Sequence, residues 1–123
     1  MPAKILVTED DVALQTMYRF KLETDGYEVR VASDGEQGLK LAKSFKPDLI
    51  LLDLMMPLLP GDRMLQRLRQ TDWGADMRVI ILTNISRSEA PSVLRFLNVD
   101  RYVVKAHHTP AQIVSIVEEV LAN

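Results

Sequence analysis

Five short apolar runs, separated by segments long enough for helices, constrain the fold of this chain more than any other feature. The runs span Lys4–Thr8, Tyr27–Ala32, Asp48–Leu52, Arg78–Thr83 and Arg101–Lys105. In the third and fourth runs the apolar residues are consecutive rather than alternating. A strand that is apolar on both faces is covered on both faces, which is typical of parallel strands flanked by helices. The pattern therefore predicts an α/β domain built on a five-stranded parallel sheet.

The segments between and after these runs predict five helices. They cover about Asp11 to Thr24, Gly35 to Phe45, Gly61 to Gln70, a fourth helix from near Ser88, and a last one from Pro110 after a Thr109 cap. The fourth requires Pro91 to lie in the first turn, where proline is tolerated. Right-handed crossovers make the sheet doubly wound. The flavodoxin-like strand order 2-1-3-4-5 suits this size, although the pattern alone also allows a Rossmann order.

Composition and length narrow the class of protein. A chain of 123 residues predicts one domain over residues 1–123. Its net charge of −2 means that the chain has no excess of basic residues, which a nucleic-acid binder usually carries. The absence of cysteine excludes disulfides, thiolate metal sites and a cysteine nucleophile. The first apolar run is too short for a signal peptide, and no run approaches the ~18 apolar residues of a membrane span. We therefore expect a cytoplasmic protein without membrane insertion.

Polar residues stand where four of the five predicted strands end. Glu9 and Asp10 follow the first strand, Asp53 follows the third, Thr83 ends the fourth and Lys105 ends the fifth. In an open parallel sheet, ligands bind beyond the carboxyl ends of the strands. In the order 2-1-3-4-5 these side chains share one edge of the sheet. We therefore expect the functional site there.

The residue types at that edge indicate phosphoryl transfer. Crowded carboxylates repel one another unless a cation or a proton neutralises them. Magnesium is a hard cation that binds carboxylate oxygens while keeping water and phosphate oxygens in its shell. A lysine and a threonine facing the carboxylates would supply a cation and a hydroxyl donor to an arriving anion. Each residue alone has an ordinary structural explanation, and only their joint placement supports the functional interpretation.

Four stretches carry a resemblance to a known family. They are Ile5–Asp10, Leu51–Pro57, Val79–Thr83 and Tyr102–Lys105. With these motifs the sequence resembles, over essentially its whole length, the receiver domain of two-component response regulators. The resemblance implies a signalling switch rather than a turnover enzyme: a domain that catalyses its own phosphorylation and slow dephosphorylation with Mg²⁺ as cofactor. The chain would be a stand-alone receiver or part of a longer protein.

The resemblance also implies a role for each matching residue. Asp53 would accept the phosphoryl group, and Lys105 and Thr83 would bind it. Asp10 would ligate Mg²⁺ directly and Glu9 through water, with Asp53 and the main-chain carbonyl of Met55 completing the protein ligands. Thr83 and Tyr102 would form the switch pair that reports phosphorylation.

Partners follow from the same resemblance. A histidine kinase or phosphotransfer protein would donate the phosphoryl group. A downstream effector, or a second copy of the chain, would bind the face made by the fourth helix, the fifth strand and the fifth helix. Direct binding of nucleic acid by this chain is not expected.

Two residues depart from the family pattern. Ala106 follows Lys105 where the family usually has proline after a cis bond, so we expect either a strained bond or a different path for this loop. Asn84 follows Thr83 where the family favours alanine or glycine. Its larger side chain is expected either to narrow access to the site or to donate a hydrogen bond to the phosphoryl group.

Three other functions are alternatives to a signalling switch on this fold. A hydrolase of the haloacid dehalogenase type needs a carboxylate two residues past its nucleophile, where this chain has Met55. A flavin or nucleotide carrier would need a glycine- or hydroxyl-rich loop after the first strand, where Glu9 and Asp10 would repel phosphate. A receiver-like interaction domain that works without phosphorylation remains open, because Ala106 and Asn84 depart from the pattern.

Overall fold

The computed structural model describes residues 2–123 and contains five strands and four α-helices. The strands are β1 (Lys4–Thr8), β2 (Glu28–Ala32), β3 (Leu49–Leu52), β4 (Arg78–Thr83) and β5 (Arg101–Val104). The helices are α1 (Val12–Thr24), α2 (Gly35–Phe45), α3 (Gly61–Arg69) and α4 (Pro110–Ala122). The predicted runs thus become strands that differ from the sequence prediction by at most one residue at an end.

The five strands form one parallel sheet in the order β2-β1-β3-β4-β5. This order confirms the predicted doubly wound fold and excludes the Rossmann order. The register pairs Thr8 with Leu52, Leu52 with Ile81 and Thr83 with Val104, so β1 and β3 end together and β4 and β5 end two residues further along. The residues that follow these four strands therefore meet at one edge of the sheet.

The sheet separates two hydrophobic layers. Helices α1 and α4 pack on one face against residues such as Val7, Leu51 and Leu82. Helices α2 and α3 pack on the other face against the neighbours of those residues, Leu6 and Leu52 among them. Successive strand residues point to opposite faces, and both sets are buried. This arrangement explains why the apolar runs in β3 and β4 do not alternate with polar residues.

Capping residues define where the helices begin. The side chain of Asp11 accepts a hydrogen bond from the Leu14 N–H at 3.1 Å, and Thr109 forms a capping box with Gln112 at the start of α4. Pro110 occupies the first turn of α4, where its missing N–H leaves no bond unmade. These caps agree with the helix starts predicted at the first and last helices.

The predicted fourth helix is wrong. Residues 84–100, hereafter the β4–β5 crossover, contain two short 3₁₀ segments, Arg87–Glu89 and Ser92–Phe96, in place of an α-helix. Ala90 has an extended backbone (φ −67°, ψ 149°) because a residue before proline disfavours the helical region. Pro91 is also extended, at φ −55° and ψ 131°. Asn98 ends the segment with φ +56°, so too few residues remain for a stable α-helix.

None of the helices in residues 2–123 combines the length and the apolar character that crossing a membrane requires.

Candidate functional site

The carboxyl edge of the sheet brings together the polar residues that the sequence placed at strand ends. A cleft of about 760 Å³ is lined there by residues from four strand ends, among them Glu9, Asp10, Asp53, Thr83 and Lys105. All five site residues predicted to share this edge therefore line one cleft.

Three of the carboxylates that line the cleft form a close cluster. Oxygen atoms of Glu9, Asp10 and Asp53 lie within 4.8 Å of one another. Glu9 and Asp53 are buried, whereas Asp10 is exposed to solvent. Three hard oxygen donors at this spacing fit a small divalent cation such as Mg²⁺. The exposed position of Asp10 leaves space on the solvent side for water and for phosphate oxygens.

Lys105 is the cation of the cleft. Its ammonium donates a hydrogen bond to Asp53 Oδ2 at 2.9 Å and another to Glu9 Oε1. Its side chain is only 10% exposed. Burial lowers the pKa of Lys105, but the hydrogen bonds to Asp53 and Glu9 outweigh burial, so the pKa stands above the ordinary lysine value. Lys105 is therefore charged at neutral pH and neutralises part of the acidic cluster.

Glu9 shows the cost of burying a carboxylate. Burial raises the pKa of Glu9 above its usual value, although Lys105 and the Asp11 N–H both donate hydrogen bonds to it. The pKa values of Lys105 and Glu9 are thus both raised. At Glu9 burial has a larger effect than the hydrogen bond from Lys105, whereas at Lys105 the hydrogen bonds together outweigh burial. One lysine faces three carboxylates here, so Lys105 neutralises the cluster only in part, which favours the entry of a further cation.

The loop that follows Asp53 fixes its carboxylate. The Met55 N–H donates to Asp53 Oδ1 at 3.1 Å, so each carboxylate oxygen of Asp53 accepts one hydrogen bond. The loop returns at Gly61, whose N–H donates to the Leu54 carbonyl at 3.0 Å. A Cβ on Gly61 would lie 2.1 Å from the Asp53 carbonyl oxygen. Glycine is required there because the loop crosses so close to the start of α3.

Thr83 lies at the end of β4, and Tyr102 lies on the neighbouring strand β5. Thr83 is fully buried, and its hydroxyl accepts a weak hydrogen bond from the Ile85 N–H at 3.4 Å. The Tyr102 hydroxyl donates to the Ile85 carbonyl at 2.6 Å. Both side chains therefore contact the same residue, Ile85, at the start of the β4–β5 crossover. A movement of Ile85 would therefore change the hydrogen bonds of both side chains.

The two departures from the family pattern meet in space. Asn84 Oδ1 accepts a hydrogen bond from the Ala106 N–H at 3.1 Å. The chain from Lys105 to His107 forms one 3₁₀ turn, and no peptide bond in residues 2–123 is cis. The loop after β5 therefore takes a different path from the one that a cis-proline would impose, which was one of the two expected outcomes.

Gln15 is a residue supporting the site that the sequence did not predict. It lies on the buried face of α1, and its amide donates to the Glu9 carbonyl and to Ser33 Oγ, the latter at 2.9 Å. It thereby joins the loops that follow β1 and β2 beside the acidic cluster. The available signal was a polar residue at helical spacing with the buried Tyr18 and Leu22.

Comparison with known proteins agrees with this geometry. The family model described as the response regulator receiver domain matches residues 5–118. The alkaline phosphatase synthesis transcriptional regulatory protein PhoP of Bacillus subtilis is 41% identical over 106 residues, which make up 85% of this chain and 43% of that protein. The chain thus spans less than half the length of this relative.

Solved structures show the same fold. The chemotaxis response regulator CheY4 of Vibrio cholerae aligns with a TM-score of 0.89 at 24% identity, over 98% of this chain and 99% of that one. The receiver domain of a sensor histidine kinase of Pseudomonas aeruginosa aligns over both entire chains, with a TM-score of 0.86 and 24% identity. That structure holds a magnesium ion in its active-site cleft.

Proposed function

This chain belongs to the family of response regulator receiver domains, and from that premise we propose that it accepts a phosphoryl group on Asp53 with Mg²⁺ bound beside it. The observation that carries the proposal is the position of the Asp53 carboxylate. It lies buried at the end of β3, within a cluster of three carboxylates, and its Oδ2 is 2.9 Å from the Lys105 ammonium. A buried carboxylate paired with a lysine at an open cleft suits nucleophilic attack on phosphorus.

In the proposed transfer, a carboxylate oxygen of Asp53 attacks the phosphorus atom of the donor. An O–P bond forms, the bond between phosphorus and the donor breaks, and the donor keeps the electron pair and takes up a proton. The Met55 N–H and the Lys105 ammonium hold the Asp53 carboxylate in place before attack. Lys105 then follows the added negative charge, and the Thr83 hydroxyl turns from Ile85 toward a phosphoryl oxygen.

The metal would be held by the carboxylates of Glu9, Asp10 and Asp53 together with the Met55 main-chain carbonyl. When bound, Mg²⁺ supplies positive charge that lowers the repulsion between a dianionic donor and the acidic cluster. The Lys105 ammonium contacts Glu9 Oε1 and Asp53 Oδ2, so it would share these two carboxylates with a bound metal.

The proposed response begins at Ile85. Moving the Thr83 hydroxyl toward the phosphoryl group removes its contact with the Ile85 N–H, and the Tyr102 hydroxyl holds the carbonyl of the same residue. The β4–β5 crossover starts here, so the change reaches the face made by this crossover, β5 and α4. A downstream effector or a second copy of the chain would bind that face. The donor would be a histidine kinase or a phosphotransfer protein.

We propose a switch rather than a turnover enzyme. A phosphatase that uses an aspartyl-phosphate needs a general acid close to its nucleophile. Two residues past Asp53 stands Met55, whose side chain is 64% exposed and carries no acidic group. The domain would catalyse its own phosphorylation and lose the phosphoryl group slowly.

The test is phosphorylation by acetyl phosphate, followed by intact mass measurement. We expect one phosphoryl adduct on the wild-type protein in Mg²⁺, and none on Asp53→Asn or when the metal is removed with EDTA. Asp72→Asn is the matched control, because Asp72 is an exposed aspartate outside the cleft, and it should be labelled like the wild type. An adduct on Asp53→Asn, or equal labelling in EDTA, would overturn the proposal.

A further inference from the structure

The side chain of Asn84 joins the two loops that carry the phosphoryl-binding residues. Asn84 directly follows Thr83, and Ala106 directly follows Lys105. The backbone register of β4 and β5 ends with Thr83 opposite Val104. Beyond that point, the hydrogen bond from the Ala106 N–H to Asn84 Oδ1 holds the strand ends together. A side chain thus continues the link between β4 and β5 past their last backbone pair.

The two residues of this bond depend on each other chemically. The bond needs an N–H at position 106, which proline lacks, and an acceptor in the side chain at position 84, which alanine and glycine lack. The chain departs from the family pattern at both positions, and the two departures supply the donor and the acceptor of one hydrogen bond. They therefore form a single structural feature.

The bond fixes the loop that presents Lys105. The 3₁₀ turn from Lys105 to His107 is closed by the His108 N–H donating to the Lys105 carbonyl at 3.3 Å. The Ala106 N–H lies inside that turn and is held by Asn84. The side chain of Lys105 extends from the start of this turn, and its ammonium donates hydrogen bonds to Asp53 and Glu9. The Lys105 backbone is thus anchored next to the cleft while its ammonium neutralises the carboxylates.

A second cavity lies beside this bond and gives the turn after β5 space to move into. Asn84 and Lys105 line the phosphorylation cleft, and both also line a second cavity of about 230 Å³ between α1 and α4. Ala106, Met17 and Ile113 belong to the lining of that second cavity. Without the Asn84–Ala106 bond, the turn after β5 has room to relax toward this cavity. Such a movement would shift the Lys105 backbone and change how its ammonium reaches Asp53.

We propose that Asn84 is a positioning residue for phosphoryl transfer, which holds Lys105 at Asp53 by accepting a hydrogen bond from the Ala106 N–H. This inference rests on the proposed function, because the reaction it serves is the phosphorylation of Asp53. Asn84 acts through the backbone of the neighbouring loop and not by touching the phosphoryl group. Its side chain must therefore matter as an acceptor and not for its bulk.

Two substitutions separate the acceptor from the bulk. Asn84→Leu keeps the size of the side chain and removes the acceptor, whereas Asn84→Ala removes both. A net hydrogen bond corresponds to roughly a threefold to tenfold change in an equilibrium. We expect both variants to be phosphorylated by acetyl phosphate about threefold to tenfold more slowly than the wild type. If Asn84 only narrowed the cleft, Asn84→Ala would react faster than the wild type, which would overturn the proposal.

Whether Asn84 acts through Lys105 is tested by comparing the phosphorylation rates of proteins with and without Asn84→Leu that also carry Lys105→Ala. We expect Asn84→Leu to slow phosphorylation when Lys105 is present and to change the rate less than twofold when it is absent. An equal loss of rate in both backgrounds would show that Asn84 acts independently of Lys105 and would overturn the proposal. Gln70→Leu is the matched control, since it removes an exposed side-chain amide at the opposite end of the sheet. It should leave the rate unchanged.

The bond itself is observed through the Ala106 amide. Hydrogen exchange by NMR should show this amide exchanging about threefold to tenfold faster in Asn84→Leu, with protection retained in Asn84→Asp, which keeps an acceptor oxygen. Unchanged exchange in Asn84→Leu would overturn the proposal. A wild-type protein that takes no phosphoryl group would contradict the proposed function. A labelled wild type with Asn84 variants of equal rate would contradict this inference alone.

Discussion

Two crossovers that connect neighbouring strands on the same face of the sheet differ sharply in structure. Helix α3, between β3 and β4, is nine residues long and buries Gly61, Met64, Leu65 and Leu68. The β4–β5 crossover contains two 3₁₀ segments that bury only Leu94 and leave Phe96 83% exposed. Both occupy the same kind of position in a doubly wound fold. The local sequence, rather than topology, therefore decides which crossover is a stable helix, because Pro91 and Asn98 interrupt the β4–β5 crossover and leave it little to bury.

The β4–β5 crossover is held mainly at its two ends. At the start, the Tyr102 hydroxyl donates to the Ile85 carbonyl at 2.6 Å. At the end, Arg69 donates to the carbonyls of Leu97 at 2.8 Å and Asn98 at 3.1 Å. Arg69 is the last residue of α3, so the stable crossover anchors the weaker one. A segment with few buried residues and fixed ends has a low free energy of local opening.

The largest expected effect comes from truncating the buried face of α3. Leu65→Ala removes a fully buried side chain and should lower the free energy of unfolding by about 2–5 kcal/mol. Phe96→Ala removes a larger side chain from the β4–β5 crossover and should change it by less than about 0.5 kcal/mol. Urea denaturation of both variants measures the difference. Equal losses would contradict the contrast between the two crossovers.

A smaller effect is expected at the turn into α3. Gly61→Ala places a Cβ 2.1 Å from the Asp53 carbonyl oxygen, so the loop must move, at a cost of about 1–3 kcal/mol. Since the displaced backbone carries Asp53, phosphorylation by acetyl phosphate should also slow. Gly26→Ala is the matched control, because its φ of +97° strains a side chain while no atom lies within 4 Å of the added Cβ. Gly26→Ala should lose stability and keep the rate of labelling.

The smallest effect is expected from Tyr102→Phe. This change removes the hydrogen bond to the Ile85 carbonyl and should cost about 0.5–1.5 kcal/mol. The loss should be local, so amide hydrogen exchange should quicken in the β4–β5 crossover while the amides of α3 serve as the unchanged reference. Faster exchange throughout both crossovers would mean that Tyr102 supports the whole domain and not this one end.

Most of the fold was predictable because its signals are local. Consecutive apolar residues mark β3 and β4 as strands buried on both faces, and Asp11 and Thr109 mark helix starts. The prediction was wrong only for the fourth helix. There the apolar residues Val93, Leu94 and Leu97 follow helical spacing, but Pro91 and Asn98 leave too short a segment between them.

The candidate site was predictable only as a set of positions. The carboxyl ends of neighbouring parallel strands bring Glu9, Asp53 and Lys105 to one edge, and this follows from the order of the strands. Which side chains contact one another does not follow from that order. The buried Gln15 beside Glu9 was missed because a polar residue on a helix is ordinarily placed on the solvent side.

The sequence by itself determined the alternation of strands and helices and the polar residues at the strand ends, because periodicity and capping depend on residues a few positions apart. Tertiary structure alone decided that Lys105 pairs with both Asp53 and Glu9, the latter 96 positions away. It also decided that the Ala106 N–H is bound by Asn84, 22 positions away. Contacts of this kind depend on strand register and on how far each loop extends, which arise only when the whole sheet is packed.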